Sequence, residues 1–357
     1  MREENDVPLA SLTTMRVGGP AARLVTVETT DELVDAVREV DDADEPLLIL
    51  SGGSNVVVSD AGFPGTVVRI ASRGIVPESA DRCGGAVVRV AAGEVWDDIV
   101  ARAVDEGWAG VEALSGIPGL TGATPIQNVG AYGQEVAQTI AQVRVWDRQE
   151  QAVRTFFNAD CHFTYRHSRF KGTDRYVVLD VLFQLELADL SRPIAYAALA
   201  DGLGVPLGTR VPLGETRRAV LEQRRRRGMV LDADDHDTWS CGSFFTNPIL
   251  TQDEFDDLAE RAAERLGFEA PAPPRFPEPD GRVKTSAAWL IDHAGFGKGF
   301  GLPAPAALST KHTLAVTNRG GASASDVLAL ARRVQAGVQE VFGVRLVNEP
   351  VLVGETL

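Results

Sequence analysis

Lysine is almost missing from this chain: four of 357 residues, against 31 arginines, and the net charge is −15. So acidic a surface argues against nucleic acid or an anionic membrane as a partner. Cysteine is scarce as well. Cys83, Cys161 and Cys241 are odd in number and far apart, which excludes a disulfide framework and fits a reducing cytoplasm. The five histidines are scattered and none pairs with a cysteine at zinc spacing, so no metal site is expected. No apolar run approaches membrane-spanning length, and the opening MREENDVPLA is too acidic and polar for a secretory leader. The remaining composition, 44% hydrophobic and 24% charged, is that of a globular protein long enough for two or three domains with their own cores.

Glycine, by contrast, is concentrated. Residues 115–135 contain Gly116, Gly119, Gly122, Gly130 and Gly133 with Pro118 and Pro125, a density no helix or strand tolerates. The polar residues there are mainly Ser, Thr, Gln and Asn, without a basic side chain. Bare N–H groups and small hydroxyls in such a loop can approach phosphates or ring edges closely. A second glycine turn, Ser51-Gly52-Gly53-Ser54-Asn55, follows the apolar run Leu47–Leu50 and precedes Val56–Val58. It lies between two strand-like runs, whereas a Rossmann fingerprint would lead into a helix. Two phosphate-friendly loops point to one large nucleotide or two.

The periodicities predict a strand at 23–27 and a helix capped by Thr30 with Leu33, Val34, Val37 and Val40 on its apolar face. Strands are expected at 47–50, 56–58, 66–70, 86–90, 142–147, 152–157 and 176–185, with a helix carrying Val95, Trp96, Ile99, Val100 and Ala103 on one face. From about residue 206 the composition shifts: Arg217, Arg218 and Arg224 to Arg227 make the most basic patch of the chain. Thr251-x-x-Glu254 and Ser323-x-x-Asp326 read as capping boxes, Gly295 ends a helix that starts at Ser286, and 270–280 is an extended, proline-rich segment. A closing strand, 344–353, is expected to contain Glu349.

These motifs carry a resemblance. Gly52-Gly53-Ser54-Asn55 together with IPGLTGATPIQNVGAYG (117–133) resembles the UDP-N-acetylenolpyruvoylglucosamine reductases (MurB). Tyr165-Arg166-His167-Ser168-Arg169-Phe170-Lys171 is similar to the family's Tyr-Arg-x-Ser-x-Phe-Lys, and Gly242-Ser243-Phe244-Phe245-Thr246-Asn247-Pro248 to its Gly-Ser-Phe-Phe-x-Asn-Pro. The resemblance runs from about Thr13 to the C-terminus. It implies an α+β fold: a two-subdomain FAD-binding module of the vanillyl-alcohol-oxidase/PCMH-like type (1–75 and 76–205), an α+β substrate domain (206–343) and the closing strand (344–357). The implied reaction is the cytoplasmic, NADPH-dependent reduction of UDP-N-acetylglucosamine enolpyruvate to UDP-N-acetylmuramate in peptidoglycan synthesis. Hydride passes through non-covalently bound FAD to the β-carbon, and a monomer is expected.

By the same resemblance Arg166 grips the substrate carboxylate and stabilises the enolate, a task that suits a planar cation that never loses its proton. Ser243 protonates the α-carbon; so weak an acid suffices for so basic a carbanion. Glu349 falls at the family's catalytic glutamate, although the usual Glu-Pro-Glu-Val has become Asn348-Glu349-Pro350-Val351. A carboxylate beside an enolate makes sense only when protonated, or bridged through Arg166 or water. Substrate contacts are expected from Tyr165, Asn247, Arg227 and Lys284, with the last two facing the diphosphate. Tyr196 falls where one subgroup places a tyrosine that closes over the nucleotide. Gly52, Gly53, Ser54 and Asn55 would cradle the FAD pyrophosphate, with Ile117, Gly122, Ala123, Gln127, Asn128 and Gly130 around the rest. Two other readings stand beside this one: a flavin oxidase or dehydrogenase of a small alcohol on the same fold, and a nucleotide-sugar-binding protein without catalysis.

Overall fold

The computed structural model describes residues 1–81, 83–267 and 269–357 and divides into two compact units. The first comprises Met1–Val7, Ala21–Gly53 and Phe63–Val230; the second comprises Pro8–Pro20, Ser54–Gly62 and Leu231–Leu357.

In the first unit, Phe63–Ile70 is flanked in parallel by Pro20–Val27 and Leu47–Leu50, and Arg2–Pro8 adds an edge strand. Helix α1 (Thr30–Asp42) buries Leu33, Val34, Ala36, Val37 and Val40, the stripe its periodicity predicts. Its cap is Thr29 rather than Thr30: the Thr29 side chain accepts the Glu32 N–H and its backbone is extended, while Thr30 is already helical. Either threonine could serve chemically, and the register of the apolar stripe decides between them.

A second, antiparallel sheet runs in the order Ala152–Phe157, Ile140–Asp147, Tyr176–Leu187, Gly85–Ala91, Ile75–Asp81. Its central strand, Tyr176–Leu187, is buried from Val177 to Phe183, as a strand covered on both faces must be. Helix α2 (Trp96–Asp105) packs on it, with the Trp96 and Phe183 rings 5.7 Å apart. One continuous core holds Val25, Leu33, Trp96, Val145 and Phe183, so the two expected subdomains share their interior.

Helices α3 (Ala197–Leu203) and α4 (Leu213–Arg226) complete this unit around Ile194, Leu199, Val211 and Val220. The boundary expected at 206 therefore moves to 230. The arginine-rich stretch is polar on one face only, and its Leu213 and Val220 stay with the first unit. The expected 1–75 subdomain changes too, because 8–20 and 54–62 pack with the second unit.

The second unit is built on helices α5 (Gln252–Leu266), α6 (Ala287–His293) and α7 (Ala324–Phe342). Both predicted capping boxes are formed, Thr251 with Glu254 and Ser323 with Asp326, and Ser286 caps α6. Asp60 adds a long-range cap: its carboxylate accepts the Ala324 N–H at 2.7 Å and the Ser325 N–H at 2.9 Å. The α7 stripe of Val327, Leu330, Val334 and Val338 meets Phe244, Phe245, Leu290 and Leu346 in one core. The closing strand is shorter than expected, Val351–Val353 alone, paired in parallel with Val56–Val58. Pro350 has no N–H to enter a ladder, so Glu349 precedes the strand instead of lying within it. Among the described residues no helix is long and apolar enough to cross a membrane, and no group of His, Cys, Asp or Glu could hold a metal ion.

Candidate active site

The glycine loop is ordered by close backbone contact. A Cβ on Gly52 would lie 2.7 Å from the Gly119 Cα, so the Gly52-Gly53 turn meets the loop main chain directly. Gly122 is packed as tightly, its would-be Cβ 2.5 Å from the Ala92 Cβ, while its N–H donates to the Ala92 carbonyl. Beside the turn, the buried Ser51 hydroxyl oxygen has no hydrogen-bond partner. A phosphate oxygen is the group such a site would satisfy, and a diphosphate fits a cradle of bare N–H groups. Alanine at Gly52 is expected to push the two backbones apart, and FAD affinity should fall about tenfold or more. Flavin absorbance of the purified variant, titrated with FAD, measures this.

The Tyr165–Lys171 motif folds onto the same loop. Arg166 Nη2 donates to the Gly130 carbonyl at 2.7 Å, the Ser168 hydroxyl to the Ile126 carbonyl at 2.6 Å, and Lys171 Nζ to the Arg166 carbonyl at 3.0 Å. Arg166 is half-buried with φ +53°, and its Cζ lies 5.3 Å from the Tyr165 ring centroid. Asn128 is committed to the protein: its amide donates to Glu135 and the Thr164 carbonyl and accepts the Ala137 N–H. Its side chain braces the loop that also carries Gly122, Ala123, Gln127 and Gly130.

Helix α4 brings arginines to this loop by a long-range tie. Asp97 accepts Arg217 through both oxygens, at 2.6 and 2.9 Å, and the Gly116 N–H at 2.6 Å. Burial alone would push the Asp97 carboxyl up, but these donors outweigh it and hold it below the usual carboxylate range. The tie is therefore intact above the unfolded value of about 4 and is lost as pH falls through the folded pKa. Asp97→Ala is expected to cost about 1.5–3 kcal/mol in urea unfolding at pH 7, with a smaller cost in strong acid.

Arg224, one turn from Arg227, is deeply placed; burial pushes its guanidinium down to about 10. It donates to the Met229 carbonyl at 2.7 Å, while its buried Nε has no partner. Near it stand Arg227 and Tyr132, whose hydroxyl burial raises against the pull of both arginines. Tyr132 in turn meets the exposed Tyr196 edge to face, ring centroids 5.4 Å apart. Tyr196, Arg227 and the glycine loop thus share one region with Arg224, Tyr132, Asp97 and Ser51. The sequence reading passed over these four, although Arg224 lay in the basic patch and Tyr132 in the loop.

The other expected residues belong to the second unit. Half-buried Ser243 lies between Gly242, at φ +73°, and the fully buried Phe244 and Phe245, whose rings are 5.2 Å apart. The Phe244 N–H donates to the Leu314 carbonyl at 2.8 Å, and the Phe244 carbonyl accepts the Glu349 N–H at 2.8 Å. Ser243 and Glu349 therefore stand on adjoining strands of main chain. Asn55 joins them, donating to the Glu349 carbonyl at 3.2 Å. Asn247 accepts the Ala287 N–H at 3.0 Å at the start of α6, and Lys284 pairs with Glu278 at 2.6 Å. Tyr165, Ile117, Gly52 and Gly53 are in the first unit and Ser54 in the second.

Residues 21–155 match the FAD binding domain, and residues 234–353 match the C-terminal domain of UDP-N-acetylenolpyruvoylglucosamine reductase. UDP-N-acetylenolpyruvoylglucosamine reductase of Thermobifida fusca (strain YX) is 59% identical over 99% of this chain and 98% of its own length. That of Mycolicibacterium smegmatis is 50% identical over 98% and 94%. Among solved structures, UDP-N-acetylenolpyruvylglucosamine reductase (MurB) from Thermus caldophilus superposes with a TM-score of 0.65 at 28% identity, covering 99% of each chain. The α+β fold with an FAD-binding module and a family-specific C-terminal domain agrees with what the motifs implied. Identity at this level along the whole chain, together with both matched domains, shows that the chain belongs to the UDP-N-acetylenolpyruvoylglucosamine reductase family, FAD-dependent oxidoreductases of peptidoglycan synthesis.

Proposed function

We propose that this chain reduces the enolpyruvyl double bond of UDP-N-acetylglucosamine enolpyruvate to give UDP-N-acetylmuramate, with NADPH as the source of electrons. Bound FAD supplies the two-electron transfer between the nicotinamide and the double bond. The chain's own residues have two tasks: to hold the carboxylate on which negative charge accumulates, and to deliver one proton to the α-carbon. Arg166 carries out the first, as a planar cation anchored by the Gly130 carbonyl. Ser243 carries out the second, and Glu349 assists from the adjoining segment.

The observation that carries this reading is the bond from the Glu349 N–H to the Phe244 carbonyl, which sets the main chain of Glu349 beside the segment that carries Ser243. Proton donation requires a group held within reach of the reacting carbon, and the two main-chain bonds of the adjacent Phe244, with the Gly242 N–H donating to the Ser240 hydroxyl, supply that rigidity. For the nucleotide, Tyr196 with Arg227 forms the closing element and the diphosphate cation, and Arg224 reinforces the positive field there. Lys284 and Asn247 are further substrate contacts in this reading, Lys284 by exchanging Glu278 for a phosphate oxygen.

The test is anaerobic NADPH oxidation by the purified FAD-loaded protein, with and without the enolpyruvyl sugar. Consumption that depends on the sugar and stops at its exhaustion supports the reading, and a parallel run with NADH fixes the donor. Turnover that ignores the sugar and instead consumes oxygen with a small alcohol would replace it by the flavin oxidase.

A further inference from the structure

We infer that Asn55 is a positioning residue for the proton-delivering turn, acting on Ser243 through Glu349. The inference rests on the roles proposed above for those two residues. Asn55 ends the Gly52-Gly53 turn, and the strand Val56–Val58 begins directly after it. Its backbone carbonyl accepts the Val351 N–H at 3.0 Å, the first bond of the parallel ladder between Val56–Val58 and Val351–Val353. Alternate residues donate in a parallel ladder, so the donor before Val351 would be the Glu349 N–H, which goes to the Phe244 carbonyl instead and leaves the ladder open there. The Asn55 side chain reaches past this gap: its Nδ2 donates to the Glu349 carbonyl at 3.2 Å. The ladder is thereby extended by one residue through a side chain.

Glu349 is then held at both ends of its backbone, by Asn55 at the carbonyl and by Phe244 at the N–H. Asn348, bridged to Phe245 and donating to the Pro350 carbonyl at 2.8 Å, secures the same bend from the other side. The direction of the Glu349 side chain, and the distance from its segment to Ser243, follow from these bonds. Asparagine suits the task because it donates through a short arm; aspartate would set a carboxylate against the carbonyl, and serine could not reach. A turn expected only to cradle a pyrophosphate thus also sets the geometry of proton delivery.

The test uses FAD-loaded Asn55→Ala, with Asn55→Ser as the second variant should alanine not fold. Flavin reduction by NADPH and reoxidation by the enolpyruvyl sugar are followed separately by anaerobic stopped flow at saturating FAD. A positioning role predicts reoxidation slowed by about 10–100-fold more than reduction in the same variant, with a larger solvent deuterium effect. It further predicts that Asn55→Ala slows reoxidation little more once Ser243→Ala is present, because both losses act on one proton. Full additivity of the two changes would overturn the proposal, as would unaltered reoxidation at saturating FAD with only FAD affinity reduced. A failure of the underlying reading looks different: Ser243→Ala alone would then leave reoxidation unchanged.

Discussion

Ser243→Ala is expected to leave reduction of the bound flavin by NADPH intact and to slow its reoxidation by the enolpyruvyl sugar by about 10²–10⁴-fold, the usual worth of a positioned general acid. The substitution removes one oxygen and no main-chain bond. Phe244 still donates to Leu314 and accepts from Glu349, and Phe244 and Phe245 still fill the core. The fold is thus insulated from the change, and any loss of rate reports on the hydroxyl. Anaerobic stopped flow at the flavin absorbance separates the two half-reactions. Equal reoxidation rates in parent and variant would reduce Ser243 to an ordinary turn residue.

The second large effect is expected at Arg166. Glutamine there should lower kcat/KM for the enolpyruvyl sugar by about 10²–10³-fold, as removal of a donor to a developing oxyanion does. Lysine should recover only part of that loss, because a point charge cannot match two carboxylate oxygens as a planar fork can. The local structure sharpens the distinction. Nη2 is fixed on the Gly130 carbonyl, and the backbone at φ +53° holds the side chain over Tyr165. Lysine keeps the charge but loses this double anchorage. Steady-state kinetics in the enolpyruvyl sugar, with thermal unfolding as a control, decides the matter. A fall in stability with kcat/KM preserved would mark Arg166 as an ion-pairing residue alone.

Both residues could be proposed from the sequence because their motifs are short and local. The same holds for the capping boxes at Thr251/Glu254 and Ser323/Asp326, where donor and acceptor are three residues apart and composition alone names them. It holds for α1, whose stripe follows from a 3.6-residue period. The glycine loop could be recognised as loop from density alone, and as a close-packed surface for a cofactor from its lack of side chains. Each of these rests on interactions within a few residues, where the order of amino acids is also their order in space.

What remained hidden depended on partners far along the chain. Asp97 meets Arg217 across 120 residues, and Asn55 meets Glu349 across 294. No periodicity records such pairs, because they exist only once α2 lies beside α4 and Val56–Val58 beside Val351–Val353. The membership of 8–20 and 54–62 in the second unit was invisible for the same reason, since Met15, Val17 and Val57 enter its core only through tertiary packing. The bonds of the Asn128 side chain to Glu135, Thr164 and Ala137 are likewise set by the fold of the loop. By itself the sequence determined the local elements, the two phosphate-friendly loops and the residue types needed for the chemistry. Tertiary structure alone decided which main-chain groups hold those residues in place, because a buried backbone donor must find an acceptor wherever the fold provides one.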